Sequence, residues 1–379
     1  MEQYLRKYEL WINEVWEKLD KKLSLIAVRS RNKLPYTTKQ GVHDNKFETD
    51  PAWWTNGFWG AMMWIMYLGT KNEEYKITAE RCEEMLDAAL RDFNNLHHDV
   101  GFMWNITSGV NYRLTGNKKS ETRWSYAAAV LSSRYNINGG FIRAWNNWWG
   151  EGSAEGITII DCMMNIPLLY RMADKEKDDR YKAVADGHAQ MAMRDHIRPD
   201  GSVNHIVRHN PKTGEVIENI GGQGFAKGSS WSRGQSWALY GFVLAYIHTH
   251  NDEYLDAAKR VAHYFISNVA INDYLPLVDF RAPCEPVLYD STAGACAACG
   301  LIEIAKYVPE YEKKMYLDAA VKMLMAMERN FCNWNEDEDS ILQMGAESYN
   351  AKRQMPIIYG DHFFAEAIYK LKGNDFIIW

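Results

Sequence analysis

The sequence predicts an all-α chain folded as an (α/α)6 barrel, with six inner helices, six outer helices and one short hairpin in a loop. Three observations predict it. Apolar residues recur at the 3.6-residue helical period along most of the 379 residues. A Tyr-x-x-x-Ala pattern recurs at helix starts, at Tyr75–Ala79, Tyr181–Ala185, Tyr254–Ala258 and Tyr316–Ala320. The helices that precede these repeats are of another kind, rich in Trp, Met, Gly and small residues, as in Trp54-Thr55-Asn56-Gly57-Phe58-Trp59. A helix that is apolar nearly all round is buried, and a one-sided helix lies outside. About six such pairs alternate along the chain. An open helical solenoid also stacks helix pairs, but its repeats keep a uniform length, whereas the gaps between these tyrosines vary widely.

Taken in order, helices are expected near 3–24, 53–69, 73–94, 117–135, 155–173, 177–195, 230–249, 252–268, 290–306, 310–330 and 358–371, with a weaker one over 100–112. Acidic residues lie just ahead of the repeated tyrosines, at Glu73–Glu74, Asp178–Asp179, Asp252–Glu253 and Glu312. Negative charge there suits a helix N-terminus. Strand signals are short. Val203–Arg208 and Glu215–Asn219 flank a Pro-Lys-Thr-Gly turn and form the expected hairpin. No Pro- or Ser-rich linker interrupts the pattern, so residues 1–379 are expected to form a single barrel domain.

Composition narrows the function classes. At 47% hydrophobic and 13% aromatic residues, the chain has too much surface to bury for a disordered one. The net charge is −6, and no basic run exceeds a pair such as Lys118–Lys119, which argues against nucleic acid. No window approaches about 18 consecutive apolar residues, so no membrane span is expected. The first twenty residues are charged and hold no signal-like apolar stretch. Of six cysteines, all but Cys284 fall in apolar or helix-like segments and read as buried free thiols, the Cys296-x-x-Cys299 pair included. A cytoplasmic protein is expected; oligomeric state is not written in the composition.

Asp161 is the sharpest chemical signal. It sits within Ile157-Thr158-Ile159-Ile160-Asp161-Cys162-Met163-Met164, which reads as an apolar helix. A carboxylate in such a setting costs desolvation energy, and a raised pKa is what a general acid needs near neutral pH. A structural hydrogen bond is the competing reading. Asp99, in Leu96-His97-His98-Asp99-Val100-Gly101-Phe102, reads as a second carboxylate facing a cavity, tuned by His98. Metal binding there is disfavoured, because neighbours on a helix or strand point apart and no third ligand stands at metal spacing. Paired carboxylates across a pocket are the usual equipment of glycoside chemistry. Fifteen Trp exceed what a core requires. Trp54, Trp145, Trp231 and Trp237, beside Gly or polar residues, are candidates to stack on sugar faces. Arg233, in Trp231-Ser232-Arg233-Gly234, could clamp an anion with its planar fork.

Together these segments resemble the unsaturated glucuronyl hydrolases, glycoside hydrolase family 88. The resemblance rests on Leu96–Phe102, Ile159–Asn165, Trp231–Trp237, Trp54–Trp59, Ala144-Trp145, Asp290–Ala293 and Gly360-Asp361, in the family's order from about residue 50 to 370. It implies the same barrel and an enzyme that removes a 4,5-unsaturated uronic acid from lyase-generated oligosaccharides by hydrating its vinyl ether. It implies catalytic roles for Asp161, as proton donor and then base, and for Asp99, as its partner. It further implies that His205 meets the substrate carboxylate end, that Gln223 contacts substrate, and that Trp54, Trp145, Arg233 and Trp237 line the pocket. No cofactor is implied, since hydration needs a proton donor and water. Four departures are visible: Tyr359 before Gly360-Asp361, the run His362-Phe363-Phe364, Gly222 before Gln223, and a partial Ser/Lys segment at Ser348–Lys352. Two other readings remain open from residues alone. One is another barrel enzyme, an inverting glycosidase or sugar epimerase. The other is a non-catalytic carbohydrate-binding scaffold, which gives no reason to bury Asp161.

Overall fold

A computed structural model describes residues 2–150 and 152–379. Twelve helices among the described residues carry the architecture. The outer ring is α1 (Glu9–Arg29), α3 (Glu73–Met85), α5 (Lys118–Ser133), α7 (Asp179–Asp195), α9 (Asp252–Ala270) and α11 (Glu310–Phe331). The inner ring is α2 (Phe58–Thr70), α4 (Ser108–Thr115), α6 (Pro167–Glu176), α8 (Ser232–Thr249), α10 (Ser291–Tyr307) and α12 (Ile358–Leu371). α12 packs back against α2, which closes the ring, and α1 packs between α12 and α3. This is the closed (α/α)6 barrel, not a solenoid. The expectation that inner helices are apolar all round holds for α8, where every residue from Ser232 to Ala245 is buried. It holds for α12 too, buried from Ile358 to Leu371.

The two ends of the barrel are built differently. At one end, four inner helices pass into outer ones through a two-residue turn. Lys71, Gly116, Lys177 and His250 each adopt a left-handed backbone. The next residue, Asn72, Asn117, Asp178 or Asn251, caps the outer helix by accepting a backbone N–H with its side chain. A left-handed residue ends a helix and an Asn or Asp cap starts one, so the chain reverses in minimal length. At the other end the connections are long. They carry the short strands and most of the residues expected to bind or react; Arg233 and Trp237 lie in the first turns of α8.

Several boundaries differ from the sequence reading: the helix expected over 73–94 ends at Met85 and is followed by a short helix, Asp87–Arg91, and a 3-10 turn, Phe93–Asn95. The first helix begins at Glu9 after short turns and runs on to Arg29. Residues 100–112 split into a π-turn, Gly101–Asn105, and α4. The largest difference lies at 155–173. Its front half is a strand, β1 (Ile157–Ile159), followed by a 3-10 turn, Ile160–Met164, with helix only from Pro167. The hairpin is present as β2 (Ile206–His209) and β3 (Val216–Ile220), and β1 pairs with β2 to make it a three-stranded antiparallel sheet. A short apolar run does not distinguish a buried strand from a buried helix by periodicity, and β-branched Ile157, Thr158 and Ile159 favour the strand.

Candidate active site

The small sheet positions the chemistry. In its register Ile159 lies opposite Ile206, and Ile206 lies opposite Ile220. Asp161 follows β1 by two residues, His205 precedes β2 by one, and Gln223 follows β3 by three. All three therefore leave the same end of the sheet, where Ile159, Ile206 and Ile220 lie in register. The backbone N–H of Gln223 donates to Nδ1 of His205 at 2.9 Å. That bond places the ring proton on Nε2, which faces Oδ1 of Asp161 at 3.6 Å. Neither of these two atoms has a hydrogen-bond partner among the described residues, although both are buried. The Asp161 carboxyl is thus aimed but not spent.

Asp99 approaches from the turn before the π-turn. Asn165 joins it to Asp161: its Nδ2 donates to Asp99 Oδ1 at 3.2 Å and to the backbone oxygen of Asp161 at 3.3 Å. The Oδ1 of the same amide accepts the Phe102 N–H at 2.9 Å, which fixes which way the amide faces. Asp99 is buried, and its carboxyl is pushed well above the ordinary carboxylate range, first by desolvation and then by the charge of Asp161. His97 is pushed down to about 4 and His98 well below its ordinary value, both chiefly by burial. The two imidazoles beside Asp99 are therefore neutral at pH 7. Their Nδ1 and Nε2 atoms lie 3.4 and 3.5 Å from Asp99 Oδ2.

This trio corrects one sequence argument. Residues 97–99 form a turn rather than a helix or strand, so three adjacent side chains converge. Their ligand atoms lie within 4.8 Å of one another, a set that could hold a divalent cation.

A cavity of about 520 Å³ opens over these groups, lined by Asp99, Asp161, His98, Trp54, Trp145 and Gln223 among others. Those six include both catalytic candidates. His205 is buried behind Asp161, and Trp231 stacks behind His205 with ring centroids 4.2 Å apart. Arg233 and Trp237, expected to line the pocket, do not line it. Arg233 is held by Asp290 Oδ2 at 2.6 Å, by the carbonyls of Ala346 and Glu347, and by the face of Trp231 at 4.4 Å. Its charge is already paired, so it braces the wall instead of clamping an anion. Trp237 is fully buried against Phe102, Tyr359 and Phe363, at 5.3, 6.2 and 5.6 Å, in an aromatic floor. Both depart from the expectation for one reason. The first turns of an inner helix face its neighbours in the ring as well as the mouth.

Other lining residues went unselected in the sequence: Asp50, Trp53, Asn95, His97 and Trp149. Asn165 was legible only as a polar residue four positions beyond Asp161 in an apolar run. Two of the sequence departures now have places. Tyr359 packs between Trp54, at 5.1 Å, and the Arg233 guanidinium, at 5.3 Å. Gly222 has φ +60°, and a Cβ there would lie 2.2 Å from His205 Nδ1, so its small size serves the Gln223–His205 bond.

A closed α/α barrel with two buried carboxylates and indoles around one cavity defines a glycoside hydrolase of the (α/α)6 class. Comparison with known proteins narrows this. No family model matches the chain. The unsaturated glucuronyl hydrolase of Bacillus sp. (strain GL1) is 33% identical over 328 residues, covering 84% of this chain and 86% of that protein. The unsaturated chondroitin disaccharide hydrolase of Streptococcus pyogenes serotype M1 is 32% identical, covering 86% and 83%. The crystal structure of the Bacillus sp. GL1 enzyme superposes with a TM-score of 0.87 over 94% of this chain and 97% of its own. A UGL structure with dGlcA-Glc-Rha-Glc matches with the same TM-score at 30% identity. The chain belongs to the unsaturated glucuronyl hydrolase family, glycoside hydrolase family 88.

Proposed function

We propose that this chain removes the 4,5-unsaturated uronic acid from the non-reducing end of lyase-generated oligosaccharides by hydrating its vinyl ether double bond. The Asp161 carboxyl, unpaired and facing the cavity, carries this reading. It gives its proton to C4 of the unsaturated ring. Water adds at C5 and returns a proton to the Asp161 carboxylate, so the group ends as it began. The product at C5 is a hemiketal, which opens to a ketone and releases the remaining sugar. Asn165 ties Asp99 to Asp161, and burial together with the charge of Asp161 lets the Asp99 carboxyl hold its proton to higher pH than an ordinary carboxylate does. His205, held by Gln223, presents an N–H beside the reacting carboxyl and steadies it when ionised.

The neutral imidazole of His98 and the half-buried indoles of Trp54 and Trp145 shape the wall around the sugar. Six free cysteines, four of them buried, fit a reducing cytoplasmic setting. No helix among the described residues is long and apolar enough to cross a membrane. The test is spectroscopic. Unsaturated disaccharides from chondroitin, hyaluronan, heparin, gellan and plant polysaccharides are mixed with the protein, and the ultraviolet absorbance of the conjugated double bond is followed. At least one should lose its absorbance, and Asp161→Asn should abolish that loss. A panel left wholly untouched would overturn the reading.

A further inference from the structure

Beyond the carboxylates the cavity ends in an indole platform that the reaction does not use. Trp145, Trp148 and Trp149 interlock. Their ring centroids lie 5.8 Å apart for Trp145–Trp148, at 19°, and 4.7 Å apart for Trp145–Trp149 and for Trp148–Trp149. The inner edge of this group meets the site, where Trp145 stands edge-on to His98 at 6.0 Å. Its outer member is Trp149, which lines the cavity yet is 74% exposed. An indole left that far in water beside a binding cavity forgoes a large burial gain.

The chain around the platform is shaped to hold it. Trp145 and Trp148 pack on Ala144 and on Ile157, Ile159 and Ile206 of the three-stranded sheet. The Arg208 guanidinium lies 5.6 Å from the Trp148 ring. Gly150 follows the pair, and a Cβ there would come 2.5 Å from Trp148 Nε1, so only glycine lets the backbone pass that close. Trp148 is thus fixed from behind, and Trp149 is carried on it with its ring open to the cavity mouth.

We infer that Trp149 is a chain-length determinant: it stacks on a sugar ring beyond the one attached to the unsaturated uronate, so the enzyme favours oligosaccharides longer than a disaccharide. This rests on the function proposed above. Trp149 is separated from His98 by one intervening indole, Trp145, which places it outward of the ring that reacts. Indole faces suit the apolar faces of neutral hexoses. Among the described residues the platform offers stacking surface, and the cation that lies on it, Arg208, is paired with Glu218 at 3.1 Å. A neutral sugar therefore fits it better than a sulfated one. The four-sugar ligand carried by the matched UGL structure has the length such a platform needs.

The experiment compares an unsaturated disaccharide with the tetrasaccharide dGlcA-Glc-Rha-Glc, by loss of absorbance. Native protein should show the higher kcat/KM on the tetrasaccharide. Trp149→Ala should lower kcat/KM on it about fivefold, as expected for one lost stacking contact. The disaccharide rate should change less than twofold, and Trp149→Phe should restore most of the tetrasaccharide rate. An equal effect on both lengths, or none on either, would overturn the inference. Tetrasaccharide and disaccharide affinities, measured calorimetrically in an Asp161→Asn background with and without Trp149→Ala, decide the platform even if neither sugar is turned over. In that case the functional reading fails by itself. Loss of tetrasaccharide affinity alone supports the platform, and unchanged affinity sinks it.

Discussion

The mouth and the base of this barrel treat buried charge in opposite ways. At the base, Lys370 Nζ sits 2.5 Å from Glu303 Oε1 and 3.4 Å from Glu366 Oε1. Tyr240 donates to Glu366 at 2.5 Å, and the Trp379 indole N–H donates to the same carboxylate at 3.2 Å. Burial works against the charge of Glu366, yet Lys370 and these donors hold it down at about 2. Trp379 also stacks on Phe363, 5.8 Å away and within 8° of parallel, and its backbone oxygen accepts from Arg171. At the mouth, Asp161 Oδ1, His205 Nε2 and both ring nitrogens of His98 are buried without partners among the described residues. Charge at the base is met by a cation in direct contact, Lys370 on both Glu303 and Glu366, and serves the fold, even though Glu303 Oε2 has no partner of its own among the described residues. Charge at the mouth is uncompensated and available to a substrate. The difference teaches which buried carboxylates to read as chemistry: those whose partners stop just out of reach.

Two substitutions should break this contrast if it is wrong. Asp161→Asn is expected to cost about a thousandfold in the rate of absorbance loss, because it removes the proposed proton donor. It should leave the thermal midpoint within a few degrees of the native protein, as no structural bond of the carboxyl is lost. Lys370→Met is expected to do the reverse. It leaves Glu303 and Glu366 buried with their main cation gone, at a cost of about 4 kcal/mol of stability by urea denaturation. The folded fraction should still turn over substrate at the native rate. A Lys370→Met protein that is stable but inactive would erase the distinction between the two ends.

A third measurement sharpens the mouth itself. The Asp99 carboxyl is raised on folding, so the folded state holds its proton to higher pH than the unfolded chain does. Its contribution is fully present below the ordinary value of 3.8 and is lost as pH rises through the raised one. Asn cannot ionise and suffers no such loss. Asp99→Asn should therefore gain stability over the native protein at pH 8 relative to pH 4, seen as a widening gap in thermal midpoint. A gap that does not change with pH would mean that Asp99 is not desolvated.

Much of the barrel was legible, and the reason is periodicity. Eleven expected helices have counterparts because inner and outer helices carry different patterns over a dozen residues or more. What escaped was local. The strand at Ile157–Ile159 hid in an apolar run that suits either structure, and with it the sheet that carries Asp161 to His205. Asp161 stood out as a charge in that run whichever structure it formed. His205 and Gln223 came only through family resemblance, since nothing in their own neighbourhoods marks them. Arg233 and Trp237 lie at the start of an inner helix, and sequence cannot say whether such a residue faces the cavity or the ring. Asn165 and Trp149 gave no signal that separates them from structural neighbours.

The tight reversals at the base offer the smallest test. Lys71, Lys177 and His250 take the left-handed conformation that glycine takes at Gly116 in the same structural position. A side chain there costs about 1 kcal/mol, because its Cβ crowds the following carbonyl. Lys177 is exposed, and its only structural duty among the described contacts is to end α6 ahead of the Asp178 cap. Lys177→Gly should therefore stabilise the protein by about 0.5 kcal/mol, part of the gain being returned through the freer unfolded chain. The turnover rate should not move, since the turn lies at the end of α6 away from Asp161. A change in rate without a change in stability would mean that the base is coupled to the mouth, and that the two ends do not divide their work as the buried charges indicate.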